Sequence, residues 1–140
     1  MKQMAKMVDA VQPSCDDEIV AAMTCSHAGS MSSLLISKLM GGVGISTNTS
    51  DLPNPVFIAV GAKTVYAFKY APRGFKFKIK KEVARWPKEE ISVVTEKSKT
   101  MAKFVLTTAS GENYHLEIPT MFGATELVDA FLDALGGGQE

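Results

Sequence analysis

Between residues 55 and 94 the chain follows a pattern that few folds accept. Val56-Phe57-Ile58-Ala59-Val60 is a short apolar run, broken by Gly61-Ala62-Lys63. Residues 64–70 form a second run, rich in aromatic residues, and Ala71-Pro72-Arg73-Gly74 turns the chain. Phe75, Phe77 and Ile79 then alternate with Lys76, Lys78 and Lys80, and Trp86-Pro87 closes the stretch before Ile91-Ser92-Val93-Val94. Short apolar runs bounded by Gly and Pro fit strands, and strict alternation is the period of a strand with one wet face. The stretch reads as a β-meander against which everything else must pack. It is a signal about fold and carries no reaction chemistry.

The flanks supply further elements. Residues 1–11 place Met4, Met7, Val8 and Val11 at helical spacing, and Pro13 stops the pattern. Such a short helix is marginal alone and must dock on its own domain, dock on a partner or fray. Residues 18–25 read as a first strand, with Ile19, Ala21, Met23 and Cys25 on one face, although Ala and Met also suit a helix. Residues 26–54 form the least regular part, with a short helix expected over 30–40 and a Gly-rich end at Gly41, Gly42 and Gly44. After the meander come a strand over 102–109, a Ser110-Gly111-Glu112 hairpin, and a strand over 113–118. In that last strand Tyr114, Leu116 and Ile118 point inward and Asn113, His115 and Glu117 outward. Residues 124–135 form an amphipathic helix with the stripe Leu127, Val128, Phe131, Leu132 and Leu135. Seven strands and a C-terminal helix predict a mainly β (α+β) fold, a bent antiparallel sheet or barrel with the helix as its cap.

With 140 residues the chain is sized for one domain: a helical extension over 1–15, a core over 16–136 and a loose tail over 137–140. Fifteen basic and fifteen acidic residues cancel, which argues against a nucleic-acid binder. Cys15 and Cys25 have no second pair to complete a zinc site. The first ten residues have no continuous apolar core of a secretory signal, so a cytoplasmic setting with reduced thiols is expected. The apolar stretch 31–45 is short for a membrane span and is interrupted by Lys38.

The order of elements, together with particular residues, resembles a bacterial pleckstrin-homology-like (PH-like) group. The carrying residues are Asp17-Glu18-Ile19-Val20-Ala21-Ala22, Phe57-Ile58-Ala59-Val60, Val65-Tyr66-Ala67-Phe68, Ala84-Arg85-Trp86-Pro87 and Ser110-Gly111. The resemblance runs from about Asp16 to Leu135 and departs at Gly61-Ala62-Lys63, where a Thr-Asp type of turn is expected. It implies a seven-stranded PH-like sheet capped by the C-terminal helix and a binding module in place of an enzyme. PH-like domains bind phosphoinositides, bind peptides, or have no known ligand, so fold alone does not choose among them.

Lys69, Arg73, Lys76, Lys78, Lys80 and Lys81 form the basic segment that could meet an anionic surface. The competing reading is a solvated strand whose lysines prevent edge pairing, and charge runs favour it. The phosphoinositide pattern of the PH family needs basic residues in the first loop, where only Lys38 stands. The Gly41–Thr47 loop lacks the lysine of a phosphate loop, and Asn48-Thr49-Ser50 has the form of a glycosylation sequon. Cys25, His27 and His115 carry reactive groups but no spacing diagnostic of catalysis or of a metal. The sequence therefore points to a non-catalytic module without a cofactor, taking a protein partner of unknown identity or a second copy. Peripheral association with anionic membrane lipid is the alternative.

Overall fold

The computed structural model describes residues 2–27, 52–73, 76–97, 100–120 and 125–136; of these, the side chains of 2–3, 72–73, 76–77 and 125 are not described. Its elements are α1 (Lys2–Val11), a 3-10 turn (Gln12–Ser14), β1 (Ile19–His27), β2 (Val56–Gly61), β3 (Thr64–Arg73), β4 (Lys76–Pro87), a second 3-10 turn (Lys88–Glu90), β5 (Ile91–Lys97), β6 (Met101–Thr108), β7 (Asn113–Pro119) and α2 (Thr125–Gly136). The seven strands form one sheet in the order β4-β3-β2-β1-β7-β6-β5, with every pairing antiparallel. β1 joins the two halves. Residues from Ile19 to Cys25 pair with β2, and Ser26 and His27 pair with β7. β4 and β5 stand at opposite ends of this order, so the sheet does not close. This is a mainly β (α+β) fold, a seven-stranded antiparallel sheet with a C-terminal and an N-terminal helix, consistent with the PH-like architecture expected from the sequence. The expected helix over 30–40, the Gly41–Thr47 loop and the sequon at Asn48 lie outside the described residues.

The register explains how the faces are used. Ala21, Val60, Val65 and Trp86 form one cross-strand row, and Ala22, Ala59, Tyr66 and Arg85 the next. Directly paired residues share a face and successive rows alternate. The first row looks toward the other half of the sheet, where Trp86 meets Tyr114 with ring centroids 5.3 Å apart. The second row looks away, yet Ala22, Ala59 and Tyr66 are buried too. β2 is buried along its whole length, as an unbroken apolar run demands.

The two helices cover what the sheet leaves open. α2 carries Val128, Phe131, Leu132 and Leu135 inward, and Phe131 packs edge-on against Phe104 at 6.2 Å. α1 lies along β1 and reaches β4, with Met4, Met7 and Val11 buried. Those three residues belong to the same core as Phe104 and Phe131. The extension read from the sequence is therefore packed into the domain, and its apolar stripe is spent on its own sheet. Asn113 departs from the outward position expected of it. It is buried, and the Thr107 hydroxyl donates to its Oδ1 at 2.9 Å, which gives that oxygen a partner under cover.

Candidate binding surfaces

The turn between β2 and β3 is built from a distance. Gly61-Ala62-Lys63 has no side chain suited to satisfy its own amides: the Ala62 N–H donates to the Glu18 carbonyl at 3.0 Å, and the Asp17 carboxylate takes the amides that follow. One carboxylate oxygen accepts the N–H of Lys63 at 2.6 Å and of Thr64 at 3.0 Å, and the other accepts that of Glu18 at 2.9 Å. A Cβ on Gly61 would stand 2.4 Å from the Asp17 oxygen, so glycine is the residue that lets the carboxylate in. The Lys63 amide, followed by those of Thr64 and Glu18, holds the Asp17 carboxyl below its ordinary range. The backbone N–H of Asp17 in turn donates to the Tyr66 hydroxyl at 3.2 Å.

Above Tyr66 lies Arg85, its guanidinium carbon 5.1 Å from the ring centroid. Arg85 donates to both carboxylate oxygens of Glu82 at 2.8 Å and to Asp16 at 3.3 Å. These hydrogen bonds raise its pKa further from neutrality. A guanidinium already engaged by two carboxylates is a fastening between β4 and the approach to β1, and its pairing leaves little for an anionic ligand.

The two edges of the sheet differ. β4 is bulged twice. Val83 is an extra residue between the pairs Ala67↔Ala84 and Phe68↔Glu82, and Lys80 and Lys81 stand opposite Lys69 alone. As a result Lys80 and Lys81 are both exposed, as are Lys69 and Lys78. Arg73 and Lys76 pair at the tip of the hairpin, and their side chains lie outside the described ones. Bulges and lysines on an edge strand are what blocks pairing with another chain. β5 has no bulge, and its one lysine is Lys97 at its end, which is paired with Asp129. All seven of its residues pair in unbroken register with β6, from Ile91↔Thr108 to Lys97↔Ala102. Among the described residues no strand covers its other edge. Ser92 and Thr95 are exposed and Val93 and Val94 half-buried. α2 runs beside it, tied by Lys97 to Asp129 at 2.5 Å. At the start of β5 a cleft of about 650 Å³ opens between Ile91, Leu135, Pro87, Thr64, Lys63 and Lys88. Nothing in the β5 sequence marks it as an end strand, because periodicity identifies a strand and not its neighbours.

The groups with reactive chemistry sit elsewhere. Burial pushes the Cys25 thiol up, and its Sγ has Met23 O at 3.9 Å. Cys15 is pushed up to about 11, first by burial and then by the charge of Glu82. A thiol so raised is a poor nucleophile. His27 has Leu52 O at 3.0 Å from its Nε2, and His115, opposite Val105 on β6, has its pKa lowered by burial. Among the described residues no three His, Cys, Asp or Glu side chains converge as metal ligands, and no helix is long and apolar enough to cross a membrane. Comparison with family models, with curated proteins and with solved structures finds no significant match to this chain.

Proposed function

We propose that the chain is a non-catalytic binding module of the bacterial PH-like group, cytoplasmic, and that it takes protein partners at β5. The observation that carries this reading is the contrast between the edges: β4 is bulged and lysine-rich, whereas β5 is straight, regularly paired on one side and flanked by a cleft. An exposed strand edge of this kind binds an extended segment by adding it to the sheet, with main-chain hydrogen bonds for affinity and side-chain pockets for selectivity. Ile91 and Leu135 supply an apolar floor for one anchoring side chain, and Lys63 and Lys88 favour an acidic neighbour.

A selection from a random-peptide library against the full chain tests it. Successive residues of a strand aim their N–H groups at opposite sides. Of Ser92→Pro and Val93→Pro, one therefore removes an amide facing β6 and the other an amide facing the free edge. The free-edge variant is expected to keep its fold and lose the selected peptides. Retained binding in both variants would place the partner elsewhere. A second reading rests on the exposed Lys69, Lys78, Lys80 and Lys81, which form an anionic-lipid surface on the β4 side. Salt-sensitive binding to phosphatidylserine vesicles, unaffected by the proline variants, would favour it.

A further inference from the structure

Among the described side chains of α1 three are buried, and two of them are methionines. Met4, Met7 and Val11 carry the contact, whereas α2 is held by Val128, Phe131, Leu132 and Leu135, which contain no sulfur. Met4 also has a polar task. Its Sδ accepts the N–H of Ala22 at 3.2 Å, on a part of β1 that β7 does not reach, since their pairing is confined to Ser26 and His27. Val8 packs half-buried beside them, and just past the helix the Gln12 side-chain amide donates to Asp17 O at 2.8 Å and accepts from Ile19 N at 2.9 Å.

α1 has ten residues, with no acidic residue in its first turn and no basic residue in its last. A helix of that length without charge support has little stability of its own. A helix that owes its order to docking is expected to open locally more readily than the strands beneath it. Each opening presents both thioethers to solvent.

We propose that Met4 and Met7 form an oxidation site that controls the docking of α1, with a peroxide as the oxidant. In the reaction a sulfur lone pair attacks one peroxide oxygen, the O–O bond breaks and an S–O bond forms. Sulfur loses two electrons, and with hydrogen peroxide the other oxygen leaves as water. The product is methionine sulfoxide. On the lone pair that faces Ala22 the new oxygen has no room within the 3.2 Å gap between sulfur and nitrogen. On the other it buries a polar S–O group against apolar neighbours, which opposes redocking. Met7, equally buried, faces the same penalty. Oxidation therefore keeps α1 off the sheet, and uncovers the β1 edge at Ala22 together with the apolar side chains that α1 packs against. The inference is independent of the β5 reading.

The test is peroxide treatment of the full chain, with sulfoxide located by mass spectrometry and α1 followed by amide hydrogen exchange. The comparison is Met4→Leu with Met7→Leu, a volume-conserving change that keeps the apolar contact and removes the oxidisable atoms. In the natural chain, sulfoxide at Met4 and Met7 is expected to accelerate exchange in α1 and at Ala22 by about tenfold or more, while Phe104 and Leu106 stay protected. The leucine variant, treated alike, is expected to keep its α1 protection, and a methionine sulfoxide reductase is expected to restore the natural chain. Sulfoxide at both positions with α1 exchange unchanged overturns the proposal. So does equal loosening in the leucine variant, failure of reduction to restore docking, or survival of both thioethers until the whole chain unfolds.

Discussion

Removing the Asp17 carboxylate should loosen the hairpin that it closes from 46 residues away. Two turn amides, those of Lys63 and Thr64, depend on it at 2.6 and 3.0 Å. Hydrogen bonds to a charged acceptor are each worth roughly 1.5–3 kcal/mol, and exposure to water and salt reduces that, so Asp17→Ala is expected to cost about 2 kcal/mol. Asp17→Asn keeps one accepting oxygen and should cost about half as much. Gly61→Ala should cost a similar amount, because the new Cβ meets the Asp17 carboxylate at 2.4 Å and the Thr64 carbonyl at 2.9 Å. In the Asp17→Ala background the Gly61→Ala penalty should shrink, since one of those two obstacles has gone. The pH dependence follows from the direction of the shift. The folded carboxyl lies below its ordinary 3.8, so its contribution is complete above about pH 4 and disappears as pH falls through the folded value. Urea melts of the natural chain and Asp17→Asn should therefore differ at pH 7 and converge in acid. A difference below about 0.5 kcal/mol for Asp17→Ala, the size of an ordinary surface change, would refute the account of the turn. A gap between the natural chain and Asp17→Asn that persists unchanged in acid would refute its electrostatic part.

Phe131 is fully buried against Phe104, so Phe131→Ala should destabilise by roughly 3 kcal/mol in a denaturant melt. Lys78→Glu with Lys80→Glu should leave stability within about 0.5 kcal/mol per site, because both side chains are exposed; loss of cooperative unfolding would contradict their placement.

The strand periods and the α2 stripe could be read from the sequence because burial imposes them on every residue of an element. Phe131, Leu132 and Leu135 needed only the helical repeat, and the lysine alternation placed Lys78 and Lys80 outward. Features that depend on contacts between distant segments left no such trace. The clamp of Asp17 on Lys63 and Thr64 joins positions that share no pattern, although the departure at Gly61-Ala62-Lys63 marked the place. The β4 bulges at Val83 and at Lys80-Lys81 carry no glycine or proline to announce them. Alternation places Asn113 on the wet face, because it cannot register that Thr107 meets it under cover. The edge position of β5, on which the candidate site depends, is a property of strand order, and no residue between Ile91 and Lys97 encodes it locally.

The most direct test of the central claim is a residue-resolved amide exchange map of the full chain, taken with and without a library-selected peptide. In the free chain, alternate amides of β5 should exchange quickly, those facing β6 being protected and those facing the open edge not. Addition of the peptide should slow the open-edge set and leave the β4 amides unchanged. Protection appearing along β4 with β5 unaltered, or full protection of β5 before any peptide is added, would contradict the assignment of β5 as the binding edge.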